Sequence, residues 1–143
     1  MVRSAWAGRD WGMRSIHVSR VVAASAEEVY AVASDPDRLP AWASGLASAD
    51  VVREGDLLHV ASPMGKVTVR FVSRNDLGVL DHDVTLPDGT VVTNPMRVVA
   101  HPDGAEVLFT VRQLAMSDAE LERDAGVVAA DLERLAALVE RRA

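Results

Sequence analysis

His82 is the side chain of this 143-residue chain that is best suited to acid–base chemistry. An imidazole has an unperturbed pKa of about 6.5, so it exchanges a proton near neutral pH. His82 lies between Asp81 and Asp83, a run that resembles part of a catalytic triad or a metal site. Adjacent side chains of a strand point to opposite faces, however, so His82 cannot share one site with both aspartates. We expect the aspartates to point outward and to pair with Arg97 or Arg112, across strands.

Other catalytic and metal-binding patterns are missing from the sequence. His17, His59 and His101 are scattered and form no H-x-x-x-H or H-E-x-x-H spacing, so neither a metal nor another cofactor is predicted. There is no G-x-S-x-G elbow for a nucleophilic serine. The chain has no cysteine, which excludes thiolate catalysis and cysteine-bound zinc.

The outward orientation of Asp81 has one alternative. A bulge that reverses the strand register would bury Asp81 and Arg97 as a polar pair, and this alternative stays open.

The composition is that of an ordinary globular domain. Hydrophobic residues make up 49% and charged residues 25% of the chain, and its length fits one domain. The net charge of −6 disfavours nucleic acid as a partner. No apolar run approaches the roughly 20 residues of a membrane span, and no secretory signal is visible, so a cytoplasmic location is expected. Lys66 is the only lysine among many arginines, a bias typical of bacterial genes with high GC content.

The first elements are a strand and two short helices. Apolar and polar residues alternate over 15–24, which predicts a strand. Ser25 and Glu28 then have the spacing of a capping box, so a helix begins there. Pro36 ends that helix, because the residue before a proline avoids the α region. A second short helix is predicted over 36–44.

Alternating segments separated by turn residues predict a meander of antiparallel strands after these helices. The predicted strands are 49–53, 57–62, 66–74, 79–86, 90–100 and 106–114. A second capping box at Ser117 and Glu120 opens a long helix that extends to Arg142. That helix carries a single apolar stripe, which must pack on the sheet. Its members are Leu121, Val128, Leu132, Leu135 and Val139.

The segment SIHVSRVVAASAEEVYAVASDPDRLPAW resembles the opening of bacterial polyketide cyclase/dehydrase-type members of the START-like, or SRPBCC, superfamily. The resemblance covers roughly residues 14–142, in the order β-α-α-β6-α. It implies an α+β helix-grip fold. In that fold a curved, seven-stranded antiparallel sheet wraps around the C-terminal helix, and two short helices lie between strands 1 and 2. It also implies an apolar cavity between sheet and helix.

Strand alternation then predicts which side chains face this cavity. The inward residues are mostly aliphatic, with His82, Asn94 and Gln113 as sparse polar groups, and Trp42 comes from the second short helix. A few polar groups in an apolar pocket orient a small ligand. Core packing is an equally open reading of these side chains. The candidate ligand-binding residues are Trp42, Leu80, His82, Val84, Asn94, Met96, Phe109, Val111, Gln113 and Val128.

Three functions remain open at this point. The first is binding of a hydrophobic small molecule, such as a lipid, a polyketide or an aromatic metabolite, by a monomer or homodimer. The second is a polyketide aromatase/cyclase that uses His82 as its acid or base, so that enzyme activity is undecided. The third is a module that regulates a protein partner.

Residues 14–143 are predicted to form one START-like domain. Residues 1–13 match no strand or helix period and are interpreted as an N-terminal extension. They are a disordered tail, a tail that packs through Trp6 and Trp11, or a stretch upstream of a true start at Met13.

Overall fold

The computed structural model describes residues 13–44 and 51–141. Within these ranges the chain forms eight strands, three α-helices and one 3₁₀ helix. Their order is β1 (Ser15–Val22), α1 (Ala26–Ala33), the 3₁₀ helix (Pro36–Arg38), α2 (Leu39–Trp42), β2 (Val52–Glu54), β3 (Leu57–Ser62), β4 (Gly65–Phe71), β5 (His82–Thr85), β6 (Val91–Asn94), β7 (Met96–His101), β8 (Gly104–Arg112) and α3 (Asp118–Glu140). The predicted extension before Met13, the strand start at 49–50 and the helix end at Arg142 lie outside the described residues.

The strands form two antiparallel sheets. One has three strands in the order β1-β8-β7, and the other has five in the order β2-β3-β4-β5-β6. The α+β class, the antiparallel pairing and the long C-terminal helix are confirmed. The prediction of one seven-stranded sheet is wrong.

The two sheets separate at Pro95, inside the segment 90–100 that was predicted as one strand. Proline has no N–H to give to a strand ladder, so β6 ends before it and β7 begins after it. The carboxylate Oδ1 of Asp81 accepts the N–H of Met96 at 2.8 Å, which takes this amide out of the backbone ladder. In the described part of the chain, a single β-bridge, between Val79 and Arg97, joins the two sheets by backbone pairing.

Both predicted capping boxes are present. The N–H of Glu28 donates to Ser25 Oγ at 3.1 Å, and the N–H of Ser25 donates to Glu28 Oε1 at 3.2 Å. The corresponding distances at Ser117 and Glu120 are 3.1 and 2.9 Å. These bonds satisfy N–H groups at the helix starts that have no partner inside the helix.

The core lies between the sheets and the apolar stripe of α3. Leu121, Leu132, Leu135 and Val139 are each at most 1% exposed, and Val128 is half-buried. On the strands, alternate residues turn toward this helix while their neighbours face outward. The helices α1 and α2 also contact α3, so they cover one end of the core.

Candidate functional site

A cavity of about 440 Å³ remains between α2, α3 and the inner faces of the strands. Its volume falls in the range of about 300–1,000 Å³ that is usual for small-molecule sites. The wall is mainly aliphatic and aromatic. Its polar members among the described residues are His82, Asn94, Arg112, Asp124 and Asp131.

Phe71, His82 and Asn94 form a row across three neighbouring strands. Phe71 of β4 pairs with His82 of β5, which pairs with Asn94 of β6. Directly paired residues of antiparallel strands project from the same face, and all three line the cavity. The rings of Phe71 and His82 lie 4.7 Å apart, and Phe109 meets the imidazole edge-on at 5.7 Å. The imidazole is thus held between two aromatic rings.

His82 is held in its neutral form. It is 4% exposed, and this burial lowers its pKa below the usual 6.5 by desolvating the charged ring. Its hydrogen bond to Leu80 and the charges of Asp81 and Asp83 act in the opposite direction but are smaller. Nδ1 lies 2.9 Å from the carbonyl oxygen of Leu80, which only accepts, so Nδ1 carries the proton.

The other ring nitrogen of His82 is therefore a hydrogen-bond acceptor. Within the described residues, Nε2 has no hydrogen-bond partner, and the side chain lines the cavity. The neighbouring Asn94 contributes an amide that can donate or accept. Together these two side chains make one polar spot on an otherwise apolar wall.

A second polar group lies where α2 meets α3. Asp131 is 7% exposed; it accepts from Ser44 Oγ at 2.8 Å and from the guanidinium of Arg134. The same guanidinium donates from Nε to the carbonyl oxygen of Trp42 at 3.4 Å. This network fastens the end of α2, which carries Trp42, to α3.

Part of the cavity lining is exposed to solvent. Its exposed members are Pro63 and Met64 of the β3–β4 hairpin, Arg112 at the end of β8, and Asp124 and Val127 of α3. Partial burial raises the pKa of Asp124 above its usual value, and the nearby Arg123 opposes this. The exposed part of the lining therefore combines apolar side chains with one arginine and one carboxyl group.

Seven of the ten candidate site residues line this cavity. They are Trp42, His82, Val84, Asn94, Phe109, Val111 and Val128. Leu80, Met96 and Gln113 were also predicted there, but none of them belongs to its wall.

Each of the three misplaced residues has a structural role instead. Leu80 and Met96 are 2% and 1% exposed, and their backbones are joined by a 2.9 Å hydrogen bond where the two sheets meet. The amide of Gln113 donates to Met116 O at 3.1 Å and to Asp118 Oδ1 at 2.8 Å. Gln113 is thus occupied in fastening the start of α3.

The two aspartates beside His82 differ in their partners. Asp81 points outward and forms a bidentate pair with Arg97 at 2.8 and 3.1 Å, as predicted, so the buried alternative is not formed. Asp83 accepts from the hydroxyl of Thr93, its direct neighbour on β6, and the predicted arginine partner is wrong. The reason is the break at Pro95, which places Arg97 beyond the β5–β6 pairing.

Phe71, Asp124 and Asp131 were missed as cavity residues. Phe71 shares one strand face with Val67 and Val69, which was a usable signal. Asp131 directly precedes Leu132 of the apolar stripe and is seven residues from Asp124. A carboxylate on the buried side of an amphipathic helix is a sequence signal for a polar group in the interior.

The described residues contain no group of three or more histidine, cysteine, aspartate or glutamate side chains that could hold a metal ion. None of the described helices is long and apolar enough to cross a membrane.

Antiparallel sheets that clasp a C-terminal helix around an apolar cavity define a protein of the helix-grip class. Residues 13–140 match the family described as polyketide cyclase / dehydrase and lipid transport. The chain belongs to this family, which is of the SRPBCC type.

Solved structures share the fold at low sequence identity. The Zhui aromatase/cyclase from Streptomyces sp. R1128 is 18% identical with a TM-score of 0.69, over 91% of this chain and 95% of that chain. Protein CV1439 from Chromobacterium violaceum is 20% identical with a TM-score of 0.66, over 88% and 97%. Protein BH1534 from Bacillus halodurans is 16% identical with a TM-score of 0.65, over 89% and 97%. No curated protein matches the sequence.

Proposed function

We propose that this protein binds a hydrophobic small molecule, such as an aromatic metabolite, a polyketide or a lipid, in the cavity between α3 and the sheets. The observation that carries the proposal is an apolar space of about 440 Å³ with few polar groups. A ligand that buries roughly 300 Å² of apolar surface gains about 7 kcal/mol before the entropy of association is subtracted. Association costs about 4 kcal/mol or more, so hydrogen bonds to the few polar groups of the cavity must add to this gain in a tight complex.

His82 and Asn94 would orient this ligand. The unprotonated Nε2 of His82 accepts a hydrogen bond, and the Asn94 amide beside it supplies a donor and an acceptor. A hydroxyl group on the ligand satisfies both side chains at once, because it donates to one and accepts from the other. Phe71 and Phe109 flank this point and favour a flat, aromatic body.

Filling the cavity tests the proposal directly. Val92 lines the cavity, whereas its neighbour Val91 is 54% exposed on the opposite face of β6. Val92→Trp should weaken binding of the neutral dye 6-propionyl-2-(dimethylamino)naphthalene at least tenfold, and the matched variant Val91→Trp should leave it unchanged. Dye fluorescence measures binding, and circular dichroism confirms that both variants fold. Equal binding by the two variants would contradict the proposal.

A second candidate function is catalysis of the aromatase/cyclase type. It is favoured by the neutral ring of His82, whose Nε2 can take a proton inside the cavity, and by the structural similarity to the Zhui aromatase/cyclase. The test is turnover of a linear poly-β-ketone thioester. His82→Gln should lower turnover about 100-fold while binding changes little. Asn94→Leu, which removes no titratable group, should leave the pH profile of turnover unchanged.

These two functions give different results with the same variants. A binding protein shows saturable binding without product, and its His82→Gln variant changes affinity alone. An enzyme converts the thioester, so unaltered turnover in His82→Gln would remove His82 from the chemistry.

A further inference from the structure

Of the two carboxylates in the described lining, Asp124 is the one that is available to a ligand. Asp131 is 7% exposed and is already bonded to Ser44 and Arg134. Asp124 lies seven residues before Asp131, hence on the same side of α3, and it is exposed. It forms no hydrogen bond or ion pair with the residues that the structure describes. A cation on a ligand can therefore pair with Asp124 without breaking an existing contact.

Asp124 borders the apolar part of the cavity. Val127 and Val128, three and four residues further along α3, lie on the same side of the helix and also line the cavity. Partial burial disfavours the charged form of the Asp124 carboxyl and raises its pKa, although Arg123 beside it acts in the opposite direction. A nearby cation stabilises a carboxylate in such surroundings, and a nearby anion destabilises it.

The basic residue of the described lining does not balance this charge. Arg112 pairs directly with Ser15 of β1, and its guanidinium donates to Ser15 Oγ at 3.3 Å. The preceding residue, Val111, is buried and lines the cavity, so the Arg112 side chain projects from the opposite face of β8. A carboxylate on a ligand would thus lie near Asp124 without an arginine that compensates the repulsion.

His82 gives an independent indication that the cavity receives hydrogen-bond donors. The residue is 4% exposed and lines the cavity, and its Nε2 has no partner among the described residues. Trp42 Nε1 is the one unpartnered side-chain atom of the described chain without accessible surface, so Nε2 of His82 is still accessible. An accessible acceptor in a buried side chain favours a ligand that donates to it.

Resting on the proposed ligand cavity, we infer that Asp124 determines the charge of the ligand: it favours an apolar body that carries a protonated amine and disfavours one that carries a carboxylate. The two acceptors, His82 Nε2 and the Asp124 carboxylate, lie at different points of one cavity. Phe109 at the wall suits a flat ring. The ligand class is therefore an aromatic compound with a basic aminoalkyl group.

Three naphthalene probes of similar size separate this inference from apolar binding as such. At neutral pH 2-(aminomethyl)naphthalene is a cation, 2-(hydroxymethyl)naphthalene is uncharged, and 2-naphthoate is an anion. Affinities are measured at low salt by displacement of the fluorescent dye. Asp124→Asn should weaken the amine about two- to fivefold, as expected for an exposed ion pair, and leave the alcohol unchanged. The matched variant Glu133→Gln removes the same charge from the opposite side of α3 and should leave both probes unchanged.

The outcomes are distinct. Equal effects of Asp124→Asn on the amine and the alcohol would overturn the role of Asp124, and so would equal weakening of the amine by Asp124→Asn and Glu133→Gln, because the effect would then come from net charge alone. Wild-type protein that binds 2-naphthoate as tightly as the amine would overturn the charge preference. Failure of the wild-type protein to bind any of the three probes would overturn the cavity function itself.

A second readout needs no variant. The pKa of Asp124, followed by its carboxyl ¹³C signal in the wild-type protein, should fall when the amine is bound and stay the same with the alcohol. Arg123 and Glu120, which also act on this carboxyl, are present in both titrations. An unchanged pKa with the amine bound would contradict the pairing.

Discussion

The neutral state of His82 should make the stability of the protein depend on pH in a defined window. Burial holds the pKa of His82 in the folded protein below the 6.5 of an unperturbed histidine. Below pH 6.5 the unfolded chain therefore binds more protons than the folded one, and the free energy of unfolding falls as the pH falls. The loss continues down to the folded-state pKa of His82 and stops there.

The size of this effect follows from proton linkage. A single group that stays neutral in the fold and titrates in the unfolded chain removes at most about 1.4 kcal/mol of stability per pH unit. Between pH 6.5 and 5.5, the loss is at most about 1 kcal/mol, because the unfolded histidine is only partly protonated at the start. His82→Phe, which keeps a ring between Phe71 and Phe109, should abolish this part of the pH dependence.

Urea unfolding of both proteins at half-unit steps from pH 5 to 8 measures the difference. His17, His59 and His101 are the same in both proteins, so the difference between the two curves isolates His82. Asp81 and Asp118 have lowered pKa values, so they stay ionised throughout this range. Parallel curves for the two proteins below pH 6.5 would refute the assignment of His82 as a buried neutral ring.

Three further substitutions test the scaffold that holds the cavity. Ser117→Ala removes the N-cap of α3 and should lower the free energy of unfolding by about 1 kcal/mol, measured in urea. Gly104→Ala should lower the melting temperature sharply, with a loss of at least about 2 kcal/mol. A Cβ there would lie 2.3 Å from Val22 O at a φ of +138°. Asp81→Ala leaves the Met96 amide without its acceptor and should cost about 1–3 kcal/mol, with faster hydrogen exchange at that amide.

Helix caps and strand alternation were predicted correctly because each depends on residues only a few positions apart in the sequence. The capping boxes at Ser25 and Ser117 depend only on residues three positions apart, and both are formed. The inward orientation of His82 followed from strand alternation, and the ring is buried. Each inference used a repeat or a cap whose geometry is the same in any fold.

The number of sheets depended on long-range pairing and was predicted wrongly. Pro95 marks a break, but sequence alone does not tell whether a proline bends a strand or separates two sheets. The break coincides with a contact from Asp81, fourteen residues before Pro95, whose carboxylate accepts the Met96 N–H. Leu80 and Met96, whose backbones are hydrogen-bonded where the two sheets meet, lie in the core rather than at the cavity wall.

The amino-acid sequence by itself determined the α+β class, the capped starts of α1 and α3 and the inward orientation of His82, since these follow from periodicity and capping within a few residues. Only the tertiary structure decided how much space remains inside and that Asp131 lies on the cavity wall. A cavity is the volume left after all elements have packed against one another, so no local pattern of residues can specify it.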